Sequence, residues 1–169
     1  MLFRSVPGAM LSLLVSTSLE RIFAKSTAVD PTSALKSLDY HVRAGLNQDR
    51  PDSETNDGCD AAMVRIYPDK QMLEYAGAKI DLFHVDQQQV HQYRSNRISL
   101  GYKDQTTTSI LPNQVVNYQK GDLFAIVTDG LTDQPGGDHP DRPVSFGYRR
   151  FTQIISTHKD KDWAEIVSI

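Results

Sequence analysis

The apolar residues of this chain change their spacing near residue 59, and that change limits the folds open to it more than any other feature. Before it they recur at three- and four-residue intervals, the period of a helix with one covered face. Leu11, Leu14, Val15, Leu19, Ile22 and Phe23 form one such stripe, with Ser12, Ser16, Thr17 and Glu20 on the remaining face. Ala34, Leu35, Leu38, Val42 and Leu46 form a second. Asp30 suits an N-cap and Pro31 a first helical position, where the missing N–H costs nothing. This second helix is expected to end between Leu46 and Gln48. Residues 49–58 hold turn formers and no periodic apolar residue, so they read as a solvated loop.

From Cys59 onward come short runs with strand character: Ala61–Tyr67, 72–75, 80–85, Val90–Tyr93, 98–102 and 115–118. Pro68-Asp69-Lys70 and the stretch Asp86 to Gln89 supply turns between them, and short links between successive strands predict antiparallel pairing. Tyr75-Ala76-Gly77-Ala78 reads as a small-residue bend after its strand. Residues 123–127 are continuously apolar, the pattern of a strand covered on both faces, which predicts a central position in a sheet. A loop is expected over 128–143, and helical spacing returns over 146–156 and 163–167. Two helices, a run of strands and a closing helix predict an α+β layered fold, not a βαβ alternation.

Composition excludes several classes. The length, 169 residues, is that of one ordinary domain. The net charge of −3 gives no general pull toward nucleic acid or anionic lipid. Cys59 is the single cysteine, so neither an intrachain disulfide nor a thiolate zinc cluster can form, and the reducing cytoplasm is the expected compartment. Met1-Leu2-Phe3-Arg4 before an apolar stretch imitates a signal peptide. Pro7-Gly8 interrupts that stretch, and no segment reaches the ~20 apolar residues that span a bilayer.

The chemistry is expected at the end of the apolar run, where Thr128-Asp129-Gly130 follows residue 127. An Asp there projects a carboxylate from rigid backbone, and the next Gly leaves room for a ligand. Asp129, Asp133, Asp138 and Asp141 share the following loop, and oxygen donors of this kind suit Mg²⁺ or Mn²⁺. Asp138, His139 and Asp141 read rather as a solvated hydrophilic loop. Asp57-Gly58-Cys59-Asp60 places two carboxylates at a strand entrance, as an Asx turn or as metal-associated groups. The five histidines show no paired i, i+4 spacing that would indicate zinc. Cys59 reads as a small buried hydrophobe rather than a nucleophile.

Taken together, VPGAMLSLL, NDGCDAAMVRI, LEYAGAKIDLFHV, RISLGYKD, KGDLFAIVTDGLTDQPGG and SFGYRRF resemble, in order, segments of the PPM-type (type 2C) metal-dependent serine/threonine phosphatases. The branch is the one named after stage II sporulation protein E. The match runs from Val6 to about Phe151, and TDGLTDQPGG is its most specific piece. The resemblance implies an α-β-β-α sandwich of antiparallel sheets flanked by helices. It implies Asp129 as a metal ligand and Asp133 as a further acidic position of the site. It implies two Mn²⁺ or Mg²⁺ ions that activate a water for attack on phosphoserine or phosphothreonine. The implied substrate is a phosphorylated regulatory protein such as an anti-anti-sigma factor, with a sensor domain fused or paired to the phosphatase.

The family's first Asp-Gly metal pair, expected immediately before VPGAM, has no counterpart in Met1 to Ser5, and the family's closing Asp-Asp-x-Thr segment has none before Ile169. Residues 1–169 are therefore expected to be a single, partial phosphatase domain. The alternative is a catalytically inactive phosphatase fragment that acts as a binding or regulatory module.

Overall fold

The structure, a computed structural model, describes residues 6–25, 28–53, 56–87, 89–103, 112–136 and 144–158. It divides into two compact units, one of residues 1–80 and 95–117 and the other of residues 81–94 and 118–169.

The first unit packs helices α1 (Val6–Lys25) and α2 (Pro31–Gly45) against an antiparallel sheet of β1 (Ala61–Tyr67), β2 (Met72–Ala78) and β5 (Gln114–Asn117), in the order β1-β2-β5. The stripe on α1 behaves as its spacing predicts: Ile22 is buried, and Leu11, Leu14, Val15 and Leu19 pack on the core. Phe23 departs from it and is partly exposed, as are Met10 and Leu13. Helix α2 starts as expected. The Asp30 carboxylate accepts from Ser33 N–H at 3.0 Å, Pro31 sits in the first turn, and Ala34, Leu35, Leu38 and Val42 are buried. Gly45 ends the helix against α1, because a Cβ there would lie 2.6 Å from a Leu14 methyl carbon. Removing that atom is what lets the two helices approach.

Two strand expectations in this unit are corrected. The bend expected at residues 75–78 is strand: β2 runs unbroken to Ala78, and Ala61 pairs with Ala78 and Ala62 with Gly77. The small residues serve close packing, Ala76 and Ala78 being fully buried in the core. Residues 98–102 form no strand but a single antiparallel bridge, Cys59 to Leu100. Extension stops there because Gly101 takes a left-handed conformation (φ 94°) and gives its N–H to the Asp39 carboxylate at 2.7 Å.

The second unit is an antiparallel sheet ordered β4-β3-β6, from β3 (Leu82–Val85), β4 (Val90–Tyr93) and β6 (Leu123–Ile126). After it come one helical turn, α3 (Asp129–Thr132), a two-residue hairpin β7 (Pro135–Gly136) and β8 (Val144–Ser145), and α4 (Gly147–Thr157). The turn at Asp86 forms as expected, its carboxylate accepting from Gln89 N–H at 2.7 Å. Phe151 and Ile155 of α4 close on Phe83 and Val85, with the Phe83 and Phe151 rings edge to face at 5.0 Å.

Strand β6 is not central. Among the described residues it is an edge strand that pairs with β3 alone, and Ile126 remains 43% exposed. Four residues of its apolar run are covered: Leu123, Ala125 and Val127 pack on the Phe83 cluster, and Phe124 on the other face stacks on His84 at 4.7 Å. Residues 128–143, expected as loop, contain the helical turn and, through Pro135-Gly136, one arm of the hairpin. The helix expected over 163–167 lies outside the described residues, as do Asp138, His139 and Asp141.

Candidate functional site

Strand β6 delivers the chain to Thr128, whose extended backbone (φ −87°, ψ 168°) caps α3. Leu131 N–H returns to Thr128 O at 3.1 Å and Asp133 N–H to Asp129 O at 2.7 Å, so the turn closes on its own backbone. Asp129 and Asp133 are four residues apart and share a face of this turn. Both are exposed, and neither carboxylate makes a hydrogen bond to another described residue. Thr132, next to them on the turn, is buried, and its Oγ1 donates to Asp129 O at 3.5 Å. Gly130 has space around it, since a Cβ there would meet nothing nearer than Thr128 Oγ1 at 3.5 Å.

The second acidic turn, in the other unit, is built differently. Asp57 is held by its backbone: the Gln48 side chain accepts from its N–H at 2.6 Å and donates to its carbonyl at 2.7 Å. The same amide donates to Gly101 O, and Asp39 takes the Gly101 N–H. Gln48 and Asp39 are 2% and 3% exposed, so their bonds to Gly101 are buried, while those from Gln48 to the exposed Asp57 are partly buried. Gly58 is obligatory, because a Cβ there would approach Leu100 O to 2.2 Å. Asp60 accepts from Ser99 Oγ at 2.5 Å. Burial first, then the carboxylates of Asp60 and Asp39, pushes the Cys59 thiol up to about 11, which keeps it protonated and unreactive at neutral pH.

Sequence reasoning missed the pairing of two histidines. His84 and His91 face each other across β3 and β4, stacked at 5.4 Å, and each Nε2 meets an aspartate at 2.8 Å, Asp122 and Asp86 respectively. Their seven-residue separation carries no signal until the hairpin register is known. Gln48 gave no signal either, whereas Asp39, a carboxylate beside Leu38 on the apolar face of α2, could have been noticed as a polar residue in a core stripe. Among the described residues, no three His, Cys, Asp or Glu side chains gather as a metal-binding group. No helix of the described residues is long and apolar enough to cross a membrane.

Comparison with known proteins agrees with the segment order. The family model of stage II sporulation protein E (SpoIIE) matches residues 4–169. The SiaA-PP2C domain of Pseudomonas aeruginosa superposes with a TM-score of 0.78 at 29% identity, over 96% of this chain and 59% of that one. Curated protein sequences give no match. The chain thus spans a little under three fifths of the solved domain it resembles, and shares its mixed helix and antiparallel-sheet fold. With the family model covering nearly every residue, the chain belongs to the SpoIIE family of PPM-type protein phosphatases.

Proposed function

We propose that this chain acts in the cytoplasm as the phosphatase part of a signalling protein. In this reading it hydrolyses phosphoserine or phosphothreonine on a phosphorylated regulatory protein of the anti-anti-sigma kind, with Mn²⁺ or Mg²⁺ as cofactor and under the control of a sensor domain. The observation that supports this most is the turn at the end of β6. Asp129 stands exposed at the end of a paired strand, and its carboxylate takes no part in holding the fold. A carboxylate with both oxygens open on fixed backbone is suited to a ligand from outside the chain.

The residues fit a hard divalent ion in kind. Asp129 and Asp133 offer only oxygen donors, and Mg²⁺ commonly takes one or two carboxylates while water and substrate phosphate fill its other positions. Asp129 would hold the ion and Asp133 would hold its hydration shell or a second ion. The bound metal would supply an activated water and neutralise charge on the phosphoryl oxygens. The part of the chain is to orient: the backbone bonds from Leu131 and Asp133 give the turn its shape, which brings the two carboxylates to one face. Asp57 and Asp60 are the next carboxylates to substitute should Asp129 prove dispensable.

The test is hydrolysis of a phosphoserine peptide by the full-length protein, with and without Mn²⁺, for wild type and Asp129→Asn. Mn²⁺-dependent turnover that falls by about two orders of magnitude or more in the variant is expected from loss of a metal ligand. Peptide binding with no turnover under any metal would replace this reading with that of a binding module.

A further inference from the structure

The segment TDGLTDQPGG continues past the two carboxylates, and its Gln134 has a defined place. A helical turn of four residues cannot hold itself, because the cost of nucleating a helix is recovered only over many more residues. Something beyond α3 must keep Asp129 and Asp133 in place. Gln134 does so in two directions. Its side-chain Nε2 donates to Gly130 O at 2.9 Å, binding a carbonyl that the end of the short helix leaves without an intrahelical partner. Its backbone carbonyl accepts from Phe146 N–H at 2.9 Å.

Phe146 leads to firm ground. It packs on the cluster of Phe83, Val85, Phe151 and Ile155 at the first turn of α4. The hairpin beside it is fixed to the same helix, because Arg150 donates to Ser145 O at 3.2 Å and Val144 O at 3.4 Å. Pro135 pairs with Ser145 and Gly136 with Val144, so the residues on either side of Gln134 have set positions. A continuous line of bonds thus runs from the α4 core through Phe146 and Gln134 to Gly130, between the two carboxylates.

We propose that Gln134 is a positioning residue for the Asp129–Asp133 turn, acting through the Gly130 carbonyl. The inference deepens the phosphatase reading and rests on it for its catalytic consequence. The tether itself can be measured without metal or substrate. Gln134 touches neither carboxylate, so its loss acts on how well the turn is organised to receive a cation. It leaves the number of ligands unchanged.

The experiment compares wild type, Gln134→Met and Gln134→Lys in the full-length protein. Methionine keeps the length of the side chain and removes the donor, while lysine restores a donor able to reach Gly130 O. Without metal, amide exchange at Asp133 is expected to rise about tenfold in the methionine variant and return toward wild type in the lysine variant, with Phe83 and Ala125 on β3 and β6 unchanged. In the Mn²⁺ assay the methionine variant is expected to need about tenfold more metal for half-maximal rate, with kcat at saturating Mn²⁺ within about twofold of wild type. Lysine is compared in the exchange measurement only, because its positive charge would itself oppose a cation at Asp129 and Asp133. Unchanged Asp133 exchange, or equal Asp133 exchange in the methionine and lysine variants, overturns the proposal. Absence of Mn²⁺-dependent turnover in wild type overturns the phosphatase reading instead, and the exchange at Asp133 still decides the tether.

Discussion

The chain presents two acidic turns that are held in opposite ways. Asp57-Gly58-Cys59-Asp60 is fixed by side chains from far along the sequence: Gln48, nine residues away, binds both polar groups of the Asp57 backbone. Asp39 and Gln48 together bind both polar groups of Gly101. Asp129–Asp133 is fixed by bonds to neighbours within five residues and by one tether to α4. The first turn is therefore tied to the interior of its unit, and its exposed residues Asp57 and Asp60 stand on backbone clamped by the buried Gln48. The second lies outside its core, with Thr132 as its buried residue. Interior polar groups must be partnered to be tolerated, so disturbing the first turn costs stability. Disturbing the carboxylates of the second should leave stability alone and change what the surface can bind.

The sharpest break in this comparison is Gln48→Met. The substitution keeps the side-chain length but leaves Gly101 O without its partner in a buried setting, and Asp57 N–H and Asp57 O without theirs in a partly buried one. Each such group costs about 1–3 kcal/mol, and partial relaxation brings the expected loss to roughly 3 kcal/mol, readable by urea denaturation. A loss below about 0.5 kcal/mol, the scale of an ordinary surface substitution, would show that the turn does not depend on this residue.

That asymmetry also explains what could be read in the sequence. Helix α2 was legible to its first residue, because Asp30, Pro31 and the Leu35–Leu38–Val42 spacing act locally. The order of strands was legible, but their neighbours were not: residues 123–127 are apolar because Phe124 lies on His84 and Leu123 lies on the Phe83 cluster, and no local pattern distinguishes this from a central strand. The interruption at Gly101 depends on Asp39, 62 residues earlier. Asp129 and Asp133 stood out because their turn is local, and the segment that carries them resembles a family motif. The Gln48 clamp did not, because a glutamine past the end of a helix looks like any solvated polar residue.

A smaller effect tests the local side of the comparison. The Asp30 cap is a near-neighbour contact, and Asp30→Ala should cost about 1 kcal/mol, the usual value for loss of an N-cap side chain. The hydrogen bonds from Ser33 hold the Asp30 carboxyl below its ordinary value of 3.8. A carboxyl with a depressed folded-state pKa contributes stability above its unfolded value, and that contribution is lost as the pH falls through the folded one. The difference between wild type and Asp30→Ala should therefore be constant from pH 7 to 5 and shrink below about pH 4. A difference that grows on acidification would contradict the cap.

The smallest expected stability effect belongs to the most consequential residue. If Asp129 serves an external ligand and not the fold, one paired measurement on Asp129→Asn shows it: thermal unfolding and calorimetric Mn²⁺ titration on the same full-length sample. The expected result is a Tm in metal-free buffer within about 2 °C of wild type, as for a substitution that removes no internal contact, together with loss of the Mn²⁺ binding heat. A Tm lowered by more than about 4 °C, or Mn²⁺ binding that persists at wild-type affinity, would contradict it.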